Sequence, residues 1–186
     1  MTPHLAASTD EAQLTVAVDV AKQMVEYLKT GTIVNAVNVP SLDGETRKKL
    51  APLLYLAERL GTFQSGYMQG TPKAIRIDYG GALPVTDTYP LTVAVLIGFL
   101  KPLVETVNEV SAPSLLEAYG IEFSETRRAD TADYNFQIGV TVETDKETHH
   151  VAGTLFGNDD PRICVIDGTR VDAVPEGHMV VCRNED

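Results

Sequence analysis

The sequence predicts an α+β (mixed α/β) fold in which helices cover a largely antiparallel sheet. Two observations lead to this class. Up to Gly120 the apolar residues recur mostly at helical spacing, whereas after Gly120 they follow the strand pattern and are separated by short turns. Helices and crossovers first and hairpins afterwards are typical of a sheet with helices on one face.

Length and composition limit the classes of function. The 186 residues are enough for one well-cored domain with a small appendage, and 44% hydrophobic with 22% charged residues is ordinary for a globular protein. The net charge of −11 argues against nucleic acid and anionic membrane surfaces as partners. No apolar stretch reaches the roughly 18 residues of a membrane span, and the start does not resemble a signal peptide. We therefore expect a cytoplasmic protein.

A long amphipathic helix is predicted near the start of the chain. Ser8 and Glu11 fit a capping box, apolar residues at helical spacing run from Leu14 to Leu28, and Gly31 ends the pattern. The apolar stripe needs a partner, because large apolar patches are rarely exposed. We expect it to be covered by the following domain or by a second copy of the chain.

The other elements are predicted from the same patterns. A second helix is expected over 45–68, with Pro52 marking a kink or a restart, a third from Tyr89 or Pro90 to about Val110, and a short fourth over 112–119. Strands are expected over 33–40, 74–79, 134–143, 148–156, 162–166 and 178–182.

Sequence motifs for catalysis or metal binding are scarce. The chain has no GxGxxG, P-loop, GxSxG or HExxH pattern. Cys164 and Cys182 lie in apolar runs (ICVI and VVCR) and are predicted to be buried free thiols. His149 and His150 are adjacent on a predicted strand, so they point to opposite faces and cannot both bind one metal. No metal site is predicted.

A basic pocket for a small anion is the other candidate site. If the hairpins bring them together, its members would be Arg127, Arg128, Lys146, His149 and Arg170. A phosphate or carboxylate needs charge-assisted donors of this kind. The alternative for each residue is a solvated loop charge.

The start of the chain carries the most specific motif. TPHLAAST, which contains His4, precedes DEAQ and resembles the closing segment of the D-2-hydroxyacid dehydrogenases. VAVDVAKQMVEYLKTGTIVNAVNVP resembles the helix and strand that follow in D-3-phosphoglycerate dehydrogenases. LAPLLYLAERLGTFQSGYMQGTPKAIRIDYGG, LTVAVLIGFLKPLVETVNEVSAPSLLEAYGI and VAGTLFGNDDPRICVIDG are similar to successive parts of that family's intervening domain. One departure is SAP at 111–113, where the family more often has NAP.

The resemblance implies a domain organisation. Residues 1–32 would close the catalytic region, 33–177 would form the intervening regulatory domain, and 178–186 (HMVVCRNED) would be the first strand of a truncated ACT domain. The chain would then be a fragment without the NAD-binding domain, and it would bind no cofactor itself.

The resemblance also implies a function. The parent enzyme would oxidise 3-phosphoglycerate to 3-phosphohydroxypyruvate with NAD, the first step of L-serine synthesis, and His4 would be its acid/base. The fragment alone would be inactive, and His4 would be exposed or poorly ordered. Its implied roles are contacts in a homo-oligomer and allosteric binding of the substrate or another anion.

Two other classes of function are considered. The first is a freestanding anion-binding or oligomerisation module with no catalytic partner, against which the TPHLAAST motif argues. The second is a small hydrolase built on His4 with Asp10 or Glu11, for which the chain offers no nucleophile motif. Burial of His4 beside a carboxylate would favour the hydrolase.

Overall fold

The computed structural model describes residues 9–30, 44–131, 133–157 and 159–182. The chain divides into two compact units, residues 1–48 and 49–186. The helices and strands are α1 (Asp10–Thr30), α2 (Gly44–Tyr67), β1 (Pro72–Gly81), α3 (Tyr89–Leu100), α4 (Ser111–Ala118), β2 (Glu122–Arg128), β3 (Phe136–Thr144), β4 (Thr148–Phe156), β5 (Asp160–Ile166) and β6 (Thr169–Ala173). The predicted α+β class is confirmed.

Helix α1 begins close to where the sequence predicts it. Thr9 Oγ1 accepts a hydrogen bond from the Ala12 N–H, which makes Thr9 the capping residue. The predicted cap, Ser8, lies outside the described residues, as does His4. The apolar stripe of α1 is exposed, with Leu14 at 67% and Leu28 at 79% of their full accessibility. What covers this stripe stays a prediction.

The six strands form one mixed sheet in the order β2-β1-β3-β4-β5-β6. Strand β2 runs parallel to β1, and all other neighbours are antiparallel. The sequence patterns did not reveal β2 or β6. Every residue of β2 is exposed, so the strand has no apolar alternation, and β6 has only five residues.

Helices cover one face of this sheet. The core contains apolar side chains of the central strands and of α2 and α3: Ile75, Ile77, Tyr79, Ile138, Val140, Val142, Val151, Ile163, Leu53, Leu56, Leu60, Leu96 and Phe99. The alternation of buried residues in β1 and β3 follows from the two-residue period of a strand. The opposite face, which no described helix covers and which is called the open face below, therefore presents a different set of side chains.

Most predicted bounds differ from the observed ones by one or two residues, and two predictions were wrong. Helix α3 ends at Leu100 and does not continue to Val110, because Pro102 has no N–H to donate and its ring clashes with the carbonyl four residues earlier. Residues 178–182 do not form a strand, since no neighbouring strand of the described chain pairs with them. Cys182 is consequently exposed, against the prediction, whereas Cys164 is buried as predicted. The run 33–40 lies outside the described residues.

Candidate functional site

Arg127 and Arg128 are adjacent on β2 and so point to opposite faces of the sheet. Arg127 pairs with Tyr79, which is buried under the helices, and therefore lies on the helix-covered face. Its Nη1 donates to the Thr86 carbonyl (3.0 Å), its Nη2 donates to Thr88 Oγ1 (2.5 Å), and its Nε lies 3.8 Å from Glu125. These contacts give Arg127 a structural role.

Arg128 lies on the open face. Its Nη2 is 3.8 Å from Asp78 Oδ1, and its side chain is 62% exposed. It borders a cleft of about 320 Å³ whose lining residues are Asp78, Gly80, Arg128, Asp130, Thr131, Gln137, Gly139 and His150. The cleft thus combines a guanidinium, an imidazole and an amide with two carboxylates.

His150 is the second basic side chain of this cleft. Its Nδ1 lies 3.0 Å from Thr141 Oγ1, which fixes the ring against β3. Burial lowers the pKa of His150, and the Arg128 guanidinium acts in the same direction, while Asp78 opposes the shift. Gly139 provides the space for the imidazole, because a Cβ at that position would lie 2.9 Å from His150 Cε1.

His149 lies on the other face, which confirms that the two histidines are divided by the sheet. Its ring packs against Tyr67, with centroids 4.2 Å apart. Its Nδ1 is 2.8 Å from Asp167 Oδ2, and its Nε2 is 2.9 Å from Glu147 Oε1. Because both ring nitrogens face carboxylates, His149 has no nitrogen left for an anion.

Asp167 organises the turn between β5 and β6. It accepts hydrogen bonds from Tyr67 Oη (2.9 Å), from His149 and from the His150 backbone N–H (2.9 Å). Burial by itself raises the pKa of Asp167, but these three hydrogen bonds outweigh it, and the net pKa is lowered.

The remaining two predicted residues lie elsewhere. Lys146 is in the turn between β3 and β4, where its side chain runs beside Gly70. Arg170 is on β6, at the opposite edge of the sheet from β2, and donates a hydrogen bond to Asp133. The five predicted basic residues are therefore spread over both faces and both edges.

The association of Arg128 with His150 was missed by sequence reasoning. These residues belong to β2 and β4, and their proximity depends on the register of β1 and β3 between them. The available signal in the sequence was the alternation of side chains along a strand. Arg128 follows Arg127 and His150 follows His149, so each must face the side of the sheet opposite to that of its neighbour.

A second cavity, of about 490 Å³, lies between α2 and the segment after β6. Its lining residues are Arg59, Thr62, Phe63, Gly66, Tyr67, Gln69, Ile163, Pro175, Gly177, His178, Met179 and Val181. Arg59 is stacked over the Tyr55 ring at 4.9 Å. Of its donor side chains, Thr62 donates to the Glu58 carbonyl and Tyr67 donates to Asp167, so these two hydroxyls are already used within the chain.

Neither a metal site nor a membrane span is found in the part of the chain that the structure describes. Among those residues no group of three or more His, Cys, Asp or Glu is arranged to hold a metal ion. No described helix has the length and apolar character to cross a membrane.

Known proteins resemble the chain along its whole length. It is 36% identical over 186 residues to the D-3-phosphoglycerate dehydrogenase of Bacillus subtilis, and 35% identical over 186 residues to that of Archaeoglobus fulgidus. It is 35% identical over 188 residues to the D-3-phosphoglycerate dehydrogenase of Synechocystis sp.. Each match covers all of this chain but only 34–35% of the relative's length.

The compact unit that contains the sheet also matches a defined family. Residues 49–167 match the family described as the D-3-phosphoglycerate dehydrogenase intervening domain. These residues include α2 from Lys49 onward, the strands β1 to β5 and the Arg128 cleft. The chain therefore belongs to the D-3-phosphoglycerate dehydrogenase intervening domain family.

Proposed function

We propose that this chain is the intervening, regulatory part of a cytoplasmic, homo-oligomeric NAD-dependent D-3-phosphoglycerate dehydrogenase. The whole enzyme would oxidise 3-phosphoglycerate to 3-phosphohydroxypyruvate in L-serine biosynthesis. The names of the relatives support this, as does TPHLAAST, in which His4 would exchange a proton with the substrate hydroxyl. The NAD and the remaining catalytic groups would be held by parts of the enzyme outside this chain.

We propose that the regulatory site of this chain is the Arg128 cleft and that it takes a small phosphorylated acid. The observation that carries this proposal is the placement of Arg128 beside His150 in a cleft of about 320 Å³. Gln137 adds a neutral donor, since its amide nitrogen has two hydrogens and donates one of them to Cys164 Sγ. Guanidinium groups and neutral donors together form the usual environment of a bound phosphate.

The two carboxylates of the cleft should weaken anion binding. Asp78 lies 3.8 Å from Arg128, so an incoming anion competes with it for the guanidinium. Asp130 is a second negative charge on the lining. Binding should consequently be modest in affinity, and removing the charge of Asp78 should strengthen it.

Calorimetric titration with 3-phosphoglycerate and with inorganic phosphate at low salt tests this site. Arg128→Ala should weaken binding by about tenfold or more, the value expected for loss of a charge-assisted hydrogen bond. Arg127→Ala is the matched control, since it removes the same charge from the neighbouring position on the other face. Asp78→Asn should tighten binding.

The contrary results are equally definite. Absence of heat with either ligand, or equal weakening by the Arg128 and Arg127 substitutions, would refute the cleft as the site. Circular dichroism of each variant separates loss of binding from loss of folding. The proposal for the whole enzyme is tested separately, by assaying the full-length dehydrogenase with a His4→Asn substitution.

The alternative, a freestanding anion-binding or oligomerisation module, has less support. Each of the three relatives described above aligns with all 186 residues, including the TPHLAAST segment before α1. The titration would give the same result for a part of a dehydrogenase and for a freestanding module. The two are distinguished by whether the protein in the cell carries a dehydrogenase catalytic domain on the same chain.

A further inference from the structure

Among the residues that the structure describes, strand β2 is an edge strand of the sheet. It pairs with β1 without a register shift, from Ala74 with Glu122 to Gly80 with Arg128. It has no strand neighbour on its outer side among the described residues, and all seven of its residues are exposed. An edge of this kind presents unpaired N–H and C=O groups to another strand.

The other edge of the sheet is protected by contrast. Strand β6 has five residues, its pairing with β5 contains a register shift between Ile163 and Val165, and Pro175 follows two residues after its end. Short strands, irregular pairing, proline and charged side chains are the devices that prevent edge-to-edge association. Strand β2 has no bulge or proline, and its four charged residues are two glutamates and two arginines, so opposite charges can face each other across a pair of β2 strands.

The free groups of β2 can be assigned from the ladder. The Ala82 N–H donates to the Asn135 carbonyl, so the even-numbered residues of β1 direct their backbone groups to β3 and the odd-numbered ones to β2. In a parallel pair, the partner of a bonding residue directs its own groups away. The outward groups of β2 therefore belong to Phe123, Glu125 and Arg127.

We propose that β2 pairs antiparallel with β2 of a second copy about a twofold axis at Thr126. Directly opposed residues of an antiparallel pair share a face, so the axis must pass through a residue and not between two. An axis at Thr126 places Glu125 opposite the partner's Arg127 twice and Thr126 opposite itself, and both kinds of pair are favourable. An axis at Glu125 would oppose two carboxylates.

The twofold arrangement also explains why assembly stops. Pairing β2 with β2 uses the same edge on both copies and leaves the protected β6 edges outside, so the assembly closes as a dimer. Pairing β2 with β6 would leave free edges and allow growth. The proposal specifies a surface for the assembly role proposed above and rests on that role, but it is independent of anion binding.

Disulfide cross-linking tests the register. Thr126→Cys in a Cys182→Ser background places two thiols across the axis in a non-hydrogen-bonded pair, where Cα atoms lie about 4.5 Å apart, within disulfide range. Mild oxidation should give a covalent dimer. The matched control is Ser124→Cys on the same face, whose copies would be separated by four residues, or roughly 13 Å, and should not cross-link.

Sedimentation equilibrium of the full chain tests the surface. Glu125→Pro removes an outward N–H that this register pairs with the partner's Arg127, without removing a bond to β1, and it should raise the dimer dissociation constant at least about tenfold. Glu125→Thr loses the same carboxylate but keeps the N–H, and it should dimerise more strongly than the proline variant. A wild-type monomer, or a dimer that Glu125→Pro leaves unchanged, overturns the proposal. In the second case the assembly role stands and belongs to another surface.

Discussion

His149 and Asp167 form a bridge between strand β4 and the β5–β6 turn. Asp167 Oδ2 lies 2.8 Å from His149 Nδ1, while Glu147 Oε1 lies 2.9 Å from the other ring nitrogen. The bridge connects the start of β4 with the β5–β6 turn, and Tyr67 of α2 packs on it and donates to the same carboxylate. Each of these side chains is mostly or partly shielded from solvent, so the contacts contribute to stability.

We expect substitution of Asp167 to destabilise the sheet. Asp167→Ala removes the acceptor of three hydrogen bonds, and alanine is strained at its φ of +46°, so the free energy of unfolding should fall by about 3 kcal/mol. Asp167→Asn tolerates this backbone and should lose only about 1–2 kcal/mol. Urea denaturation measures both. Equal loss in the two variants would contradict a role for the backbone conformation.

The same carboxylate predicts a pH dependence. The pKa of Asp167 is lower in the folded chain than its ordinary value of 3.8, so the folded state binds this proton less readily than the unfolded state. Its stabilisation is therefore present above that ordinary value and is lost as the pH falls through the lowered pKa. The stability difference between wild type and Asp167→Asn should be larger at about pH 5.5 than at about pH 3. A difference that grows on acidification would show that the sign is wrong.

The elements that the sequence predicted well are those whose pattern is set by burial. Strand β4 was predicted with its observed bounds, because THHVAGTLF is rich in β-branched residues and lies between two turns. Strand β2 was missed because EFSETRR has no buried residue, and its extended conformation comes from pairing with β1. Arg128 could be named from its charge, but its neighbour His150 is brought there by strand register, which the local pattern does not contain.

Gln64 provides a second test of the helix–sheet contact. It is fully buried on α2, and its amide donates to the Val140 carbonyl (2.6 Å) and to the His149 carbonyl (3.0 Å). Gln64→Glu replaces these donors with a buried carboxylate facing two carbonyl oxygens and should cost about 3 kcal/mol or more near neutral pH. Gln64→Met keeps the shape without the charge and should cost about 1–2 kcal/mol. Thermal unfolding measures the stability of both variants. A glutamate variant as stable as the methionine variant would show that water reaches the side chain at position 64.

Helices α2 and α3 cross with their backbones in contact, and Gly98 permits this approach. A Cβ at Gly98 would lie 1.9 Å from the Glu58 carbonyl oxygen, and one at Gly61 would lie 2.0 Å from the Val95 carbonyl oxygen. These neighbours are backbone atoms, so relief requires separating the two helices over the core. Gly98→Ala should therefore lower the free energy of unfolding by about 3 kcal/mol.

The matched control for this crossing is Gly66→Ala on α2. A Cβ at Gly66 would meet nothing within 4 Å, so alanine should stabilise the helix by about 0.5–1 kcal/mol through its higher helix propensity. Both variants replace a helical glycine by alanine and differ only in what the added methyl group meets. Urea denaturation should therefore give changes of opposite sign. Changes of the same sign and size would mean that helix propensity, and not the backbone contact, determines the role of Gly98.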